Sequence, residues 1–243
     1  MNGATPAQRF DGKSVVVTGV GRTGQMGEVV AREFAKRGAA VAIIDRDGAG
    51  AETLAAAMRA DGLAVNAYGC DLTDAAATAA TFARIAAANS GRIHALANVA
   101  GGFAMSGPVA ESDPAVFQRQ LAINLGSAYG ATRACIPFMR AAGGGIVFMA
   151  AAAILPGGKV ADMAGYAAAK AGVTALMRAV AQEERPNGIR ANALAPTAIR
   201  TGVNLDSMGD KFAYVERESV AGVIAFLCSK EAANITGQVI ELA

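Results

Sequence analysis

Two side chains four positions apart carry the clearest chemistry in this sequence: Tyr166 and Lys170, in Gly165-Tyr166-Ala167-Ala168-Ala169-Lys170. On a helix that spacing projects both from one face, and the alanines between them keep the face uncluttered. A free tyrosine, with a pKa of about 10, is a poor acid–base group at neutral pH. A lysine ammonium one turn away stabilises the phenolate and draws its pKa towards the working range, which makes the pair a candidate proton relay. A second cluster is made of glycines. Thr18-Gly19-Val20-Gly21-Arg22-Thr23-Gly24-Gln25-Met26-Gly27 follows the apolar run Ser14–Thr18. Glycines there let the backbone turn sharply and approach a pyrophosphate, whose charge then rests on a helix amino terminus. A third signal is Asp45, about twenty residues further on at the end of the next apolar run. Its carboxylate suits ribose hydroxyls and repels a 2′-phosphate, favouring NAD over NADP, with Arg46 and Arg22 partly offsetting the repulsion.

Other chemistries are excluded. His94 is the only histidine, and Cys70, Cys135 and Cys228 are scattered without a CxxC pair. No metal site is expected, and the cysteines suit a reducing compartment. His94 reads as a packed or surface residue.

The elements that must position these groups alternate along the chain. Strands are expected at Ser14–Thr18, Ala40–Ile44, Leu63–Tyr68, Ile93–Val99, Gly145–Met149, Ile189–Leu194 and Gln238–Leu242. Helices are expected from the glycine turn to about Arg37, at Ala51–Ala60, Asp74–Ala88, Pro114–Ala141 (one long helix), Ala164–Glu184 and Glu216–Cys228. Apolar, non-alternating strands separated by helices predict an α/β fold: a Rossmann-type, doubly wound parallel sheet of about seven strands with helices on both faces. No linker or repeat divides residues 1–243, so one dinucleotide-binding domain is expected, with a short substrate loop at about 197–216. In such sheets ligands bind beyond the carboxyl ends of the strands, where strand order reverses.

Of the 243 residues, 53% are hydrophobic and 17% charged, and 22 basic against 20 acidic side chains leave a net charge of +2. That composition argues against disorder and against a nucleic-acid partner. The polar amino terminus MNGATPAQRFDG lacks an apolar leader core. The uncharged stretch from Ala141 to Gly158 is broken by glycine and proline, so it reads as a buried strand and loop rather than a membrane span. A cytoplasmic location is expected.

In order along the chain, TGVGRTGQMG, Asp71 in CDLTD, Asn98-Val99-Ala100-Gly101, Asn124 in INLGS, YAAAK, GIRANALAP and ITGQVIEL resemble the short-chain dehydrogenase/reductase family over essentially the whole length. The resemblance implies an oxidoreductase that interconverts an alcohol and a ketone or aldehyde by hydride transfer with NAD, NADP being the lesser alternative. Tyr166 would exchange the proton with the substrate oxygen. Lys170 would lower its pKa and hold the nicotinamide ribose, and Asn124 would anchor a water linking Lys170 to solvent. Gly19, Gly21, Arg22, Thr23, Gly24, Gln25, Met26 and Gly27 would form the pyrophosphate turn. Asp71 and Leu72 would contact the adenine, Asn98, Ala100 and Gly101 would flank the adenosine ribose and diphosphate, and Pro196, Ile199 and Thr201 would seat the carboxamide.

The sequence departs from the family pattern in four places. The glycine turn is two residues longer, and its middle glycine falls on Gly24 or Gln25. Pro-Gly becomes Pro196-Thr197, and the chain stops at Glu241-Leu242-Ala243 without the Gly-Gly tail. Most seriously, the family's catalytic serine falls at Ala151 counted from the strand, or near Ala153 counted back from Tyr166, and Ala150 to Ala153 are all alanine. Losing one such donor typically costs about 2.7–4 kcal/mol of transition-state stabilisation. Two readings follow: an oxidoreductase relying on Tyr166 alone or on a substrate hydroxyl, and a weak or inactive NAD-binding sensor or scaffold. Substrate-facing positions are expected in Gly102–Pro108, Ala152–Met163 and Gly202–Tyr214. They offer Phe103, Met105, Ile154, Leu155, Met163, Leu205, Met208 and Phe212, with Arg200, Asp206, Asp210 and Lys211 nearby, and suit an apolar small molecule. The resemblance also implies a homotetramer, or a dimer, built on the helices carrying Asn124 and Tyr166.

Overall fold

A computed structural model describes residues 9–243. Residues 1–8, on which part of the reading of the amino terminus rests, lie outside the described residues. The first strand, β1 (Ser14–Thr18), is buried along its whole length. Successive side chains point to opposite faces of a strand: Val15 and Val17 enter one core layer and Val16 the other. An unbroken apolar run is therefore what a sheet covered on both faces requires.

The chain continues through α1 (Met26–Lys36), β2 (Ala40–Asp45), α2 (Gly48–Ala60), β3 (Val65–Gly69), α3 (Ala75–Ala87), β4 (Ala95–Asn98) and α4 (Pro114–Gln120). A π-helical turn at Leu121–Gly126 leads into α5 (Ser127–Met139), followed by β5 (Gly144–Met149), α6 (Ala164–Glu183) and β6 (Ile189–Pro196). The last elements are β7 (Ala198–Ile199), α7 (Gly202–Met208), β8 (Tyr214–Val215), α8 (Arg217–Cys228) and β9 (Val239–Leu242). Seven strands form one parallel sheet in the order β3-β2-β1-β4-β5-β6-β9, the doubly wound architecture the sequence predicts. Phe34, Met58 and Ile224 fill the layer on one face, and Phe82, Met139 and Met177 the layer on the other. Truncating a fully buried phenylalanine such as Phe34 to alanine costs about 3–5 kcal/mol.

The helix starts follow from local chemistry. Asp47, Asp74 and Asp113 each accept backbone N–H bonds at the starts of α2, α3 and α4, and Pro114 occupies the first turn of α4, satisfying donors that a helix leaves unpaired. Two expectations are corrected. The single helix over Pro114–Ala141 is interrupted by the π turn, and the segment at 197–216 is not an open loop. It folds into the small β7–β8 pair around α7, which Thr201 caps by accepting from the Asn204 N–H. The apolar Ala141–Gly158 stretch is β5 and a short turn, and among the described residues no helix is long and apolar enough to cross a membrane.

Candidate active site

Sheet order reverses between β1 and β4, and the glycine turn lies at their carboxyl ends. Thr18 ties the two strands together, its Oγ1 accepting from the N–H groups of Val99 and Ala100 at 3.1 Å each. Gly19 has φ of +76°, and a Cβ there would lie 2.6 Å from the Ala100 Cα. A Cβ on Gly27 would lie 2.2 Å from the Gly19 carbonyl oxygen. These contacts are backbone against backbone, so any larger residue pushes α1 off the strand. Gln25 caps α1 without a side-chain hydrogen bond, leaving the positive end of the helix dipole to an anion.

The two extra residues of the turn are pinned from both sides at Gly24. Its N–H donates to Glu28 Oε2 at 2.7 Å, and Glu28 is held by Arg32 at 2.9 Å. Its carbonyl accepts from Arg217 at the start of α8, whose Nε is buried without a partner among the described residues. The Gln25 amide nitrogen reaches to 3.7 Å of where a Cβ on Gly202 would stand. The longer turn therefore touches the segment carrying α7 and α8, while Arg22 and Thr23 are exposed at its crest.

Asp45 ends β2 with its carboxylate against Gly21, where an added Cβ would lie 2.6 Å from Asp45 Cγ. Its Oδ1 accepts the Asp47 N–H at 2.9 Å, which fixes the carboxylate at the mouth of the turn. Asp71, after β3, accepts from the Thr73 N–H and hydroxyl at 3.0 and 2.7 Å. Those bonds, with a smaller contribution from Arg46, hold its carboxyl below the ordinary carboxylate range. Leu72 is buried beside it. Asn98, 3% exposed, donates to Thr132 Oγ1 at 3.0 Å, while its Oδ1 is buried and unpartnered among the described residues.

The acid–base candidates meet beyond β4 and β5. Lys170, buried in the first half of α6, donates to the Met149 carbonyl at 2.8 Å, and its Nζ lies 5.6 Å from the centre of the Tyr166 ring. A Cβ on Gly101 would stand 2.6 Å from Asn124 Oδ1 and 3.7 Å from Lys170 Nζ, so Asn124 and Lys170 meet at one glycine. The π turn positions Asn124, as such turns often do at functional sites. Its amide nitrogen reaches the carbonyls of Gln120 and Gly102 at 3.0 and 2.9 Å, and its oxygen accepts the Gly102 N–H at 3.2 Å.

Burial pushes Tyr166 up to about 12 and Lys170 down to about 8. In the protein alone, desolvation outweighs the stabilisation of a phenolate expected from the lysine. At pH 7 the tyrosine is neutral and the lysine charged, so the pair rests as a proton donor.

The segment that follows Met149, the residue holding Lys170, is alanine. Ala150 and Ala151 are buried, and Ala152–Ile154 form a 3₁₀ turn; none offers a hydroxyl. The Phe103 ring stands edge-on to Tyr166 at 5.0 Å. Large apolar side chains exposed among the described residues include Phe103, Met105, Val160, Val203, Met208 and Phe212, all from the three segments expected to face substrate. Pro196 ends β6, Ile199 lies in β7, and Thr201 opens α7. Arg200 braces this region by pairing with Glu216 at 2.9 Å and lying over the Tyr214 ring.

Glu28, Arg217 and Thr132 were not foreseen. Glu28 stands three residues past the helix cap, the position from which a glutamate reaches back in a capping box, so its role was readable. Arg217 and Thr132 come from distant elements and leave no local signal.

The profile of the family described as enoyl-(acyl carrier protein) reductase matches residues 19–242. A D-threitol dehydrogenase of Mycolicibacterium smegmatis is 35% identical, covering 94% of this chain and 90% of its own. The chain belongs to the short-chain dehydrogenase/reductase family. Another such relative, the (5R,7aS)-5-hydroxy-7a-methyl-1-oxo-2,3,5,6,7,7a-hexahydro-1H-indene-carboxyl-CoA reductase of Mycobacterium tuberculosis, is 36% identical over 96% of this chain and 92% of its own. The crystal structure of a gluconate 5-dehydrogenase from Burkholderia cenocepacia, in complex with NADP and tartrate, superposes with a TM-score of 0.87. It is 26% identical, over 98% of this chain and 96% of that one. These short-chain dehydrogenase/reductase relatives are dehydrogenases and reductases, and the activity class of this chain is oxidoreductase.

Proposed function

We propose that residues 1–243 act as one unit that interconverts an apolar secondary alcohol and its ketone with NAD, Tyr166 serving as acid and base. The chain of contacts from the Tyr166 ring to Lys170, and from Lys170 and Asn124 to Gly101, which follows β4, carries this reading.

The residues present fit a dinucleotide. Gly19 and Gly27 form a cradle that a Cβ would fill, the start of α1 has no side-chain cap, and the buried Asn98 Oδ1 lacks a donor. Gly19 to Gly27 would hold the pyrophosphate, Asp45 the adenosine ribose, Asp71 and Leu72 the adenine, Asn98, Ala100 and Gly101 the inner edge, and Pro196, Ile199 and Thr201 the nicotinamide end. When bound, the nicotinamide supplies the hydride acceptor or donor. The neutral Tyr166 hydroxyl donates a proton to a carbonyl oxygen in the reductive direction and recovers it in the oxidative one. Lys170, charged at pH 7 and anchored on Met149, stabilises the phenolate left behind. Asn124 holds the Gly101–Gly102 segment against this pair, and Phe103 shields the Tyr166 ring from water. The apolar rim supports an apolar substrate. Exposed Tyr129 on α5 supports association through the α5 and α6 faces into a homo-oligomer, and the composition supports a cytoplasmic setting. A monomeric mass in solution would count against the oligomer.

A second reading, NAD binding with little turnover, is favoured by the alanines at 150–153. Titrating NAD and NADP into the wild type and Asp45→Asn, alongside a screen of alcohols and ketones, separates the two. NAD should bind more tightly than NADP, and Asp45→Asn should shift that ratio roughly 10–100-fold, the worth of a charged hydrogen bond. Tighter NADP binding by the wild type would overturn the role of Asp45. Tight NAD binding without turnover of any substrate would favour the second reading.

A further inference from the structure

At the end of the sheet where the strands begin lies a second concavity. Lys13 precedes β1, His94 precedes β4, Gly144 begins β5 and Gly188 precedes β6, while the carboxyl end of α8 closes one side. Its volume is about 730 Å³, within the range of small-molecule sites. At a rise near 3.3 Å per residue, Gly144 stands roughly 17 Å along β5 from Met149, the residue that holds Lys170. The cleft is therefore separate from the crevice described above.

Its charge is one-sided. Arg9, Lys13, Arg185, Arg190 and Lys230 line it with a single carboxylate, Glu231, in a chain whose net charge is only +2. Arg9 is neutralised by Asp11, and Arg190 is turned into the wall, donating to the carbonyls of Leu227 and Ser229 at 2.6 and 2.8 Å. Lys13, Arg185 and Lys230 have no ion pair among the described residues. The nearby Glu184 cannot serve them, because Arg140 and Asn187 already occupy its carboxylate. His94 accepts the Ser14 N–H on Nδ1 at 3.1 Å, which leaves Nε2 as the protonated ring nitrogen of its neutral form. Burial, with the cations Lys13 and Arg92, holds its pKa below the ordinary histidine value. A concave, partly desolvated wall of one sign concentrates ligands of the other.

We propose that this cleft binds a small multivalent anion, with Lys13, Arg185 and Lys230 neutralising its phosphate or carboxylate groups. Lys13 and Arg185, and Lys230 beside Glu231, would make charge-assisted hydrogen bonds to such a ligand. Such a ligand binds at the opposite end of the sheet from the proposed reacting atoms, so it competes with neither cofactor nor substrate.

His94 is the only histidine in the chain, so its ring gives one unambiguous NMR signal in untagged protein. That signal is followed while pyrophosphate, citrate or sodium chloride is added at matched ionic strength. Pyrophosphate should shift it saturably and raise the His94 pKa, because an anion beside the ring favours the imidazolium. Lys13→Gln and, separately, the exposed Arg185→Gln should each weaken binding about tenfold, as expected for one lost charged contact. A saturable response to pyrophosphate alone assigns a phosphorylated ligand, and equal responses to citrate assign multivalent anions generally. A response that sodium chloride reproduces, no saturable response to either anion, or affinity unchanged in both variants would overturn the proposal. The readout is independent of turnover, so it stands or falls apart from the proposed reaction.

Discussion

The two walls of the crevice are built by different means. On the β1–α1–β4 side, Gly19, Gly21 and Gly27 sit so close to Ala100, Asp45 and each other that an added Cβ would fall within 2.2–2.6 Å of a neighbouring atom. On the β5–α6 side the segment after β5 is alanine, and Tyr166, Lys170 and, from the π turn, Asn124 supply the polar side chains. The first wall is shaped by close approaches and tolerates no addition at these glycines. The second presents alanine methyl groups and no hydroxyl from residues 150–153. On the function proposed above, one wall recognises the cofactor and the other does the chemistry, and substitutions on the two sides should fail differently.

The most disruptive test of the contrast is Gly27→Ala. Its Cβ meets the Gly19 carbonyl, which belongs to the backbone and cannot swing away. The expected result is a loss of stability of about 1–3 kcal/mol, typical of overpacking, with NAD affinity reduced on the order of 100-fold by the displaced turn. Thermal melting and NAD titration check both, and unchanged binding would show that the tight wall is not the cofactor wall. On the other side, Ala153→Ser and Ala151→Ser add a donor where none exists. At least one should raise kcat, up to roughly 100-fold, with NAD affinity unaltered; no gain in either would show that the alanine wall already serves its substrate.

The smallest expected effect is on stability. Lys170 is a cation held in a buried site, its pKa lowered to about 8 from an unfolded value near 10.5. Below pH 8 both states carry the charge, and the folded state bears its full desolvation penalty. Between about 8 and 10.5 the unfolded state binds more protons, so the wild type gains stability as pH rises. Lys170→Met should therefore be inactive yet melt a few degrees higher than wild type at pH 7. That margin should shrink as pH passes 8, in melts recorded from pH 7 to 10. A margin constant across that range would show that Lys170 is not strained by burial.

The tight wall was more legible than the alanine one. Val15 to Val17 announced a strand buried on both faces, and the glycine turn and Asp45 stand where their local signals put them, after β1 and at the end of β2. The π turn at Asn124 was not visible, because a one-residue expansion of a helix leaves the apolar period nearly intact. The segment at 197–216 looked like a loop because β7 and β8 have two residues each, too short for any periodicity. The link from Gly24 to Arg217 spans most of the chain and arises only when α8 packs beside α1. The pair Tyr166–Lys170 was found by spacing, but the direction of the tyrosine pKa in the protein alone depends on burial, which spacing does not reveal.

In the function proposed above, Tyr166 moves the proton, and this role decides the mechanism. It is tested most directly by comparing kcat of Tyr166→Phe with wild type on the best alcohol or ketone substrate, with NAD affinity measured in parallel. The expected result is a fall of about 10²–10⁴-fold with NAD binding essentially unchanged, since the aromatic ring and its contact with Phe103 remain while only the hydroxyl is lost. Turnover by Tyr166→Phe close to that of the wild type would contradict the account.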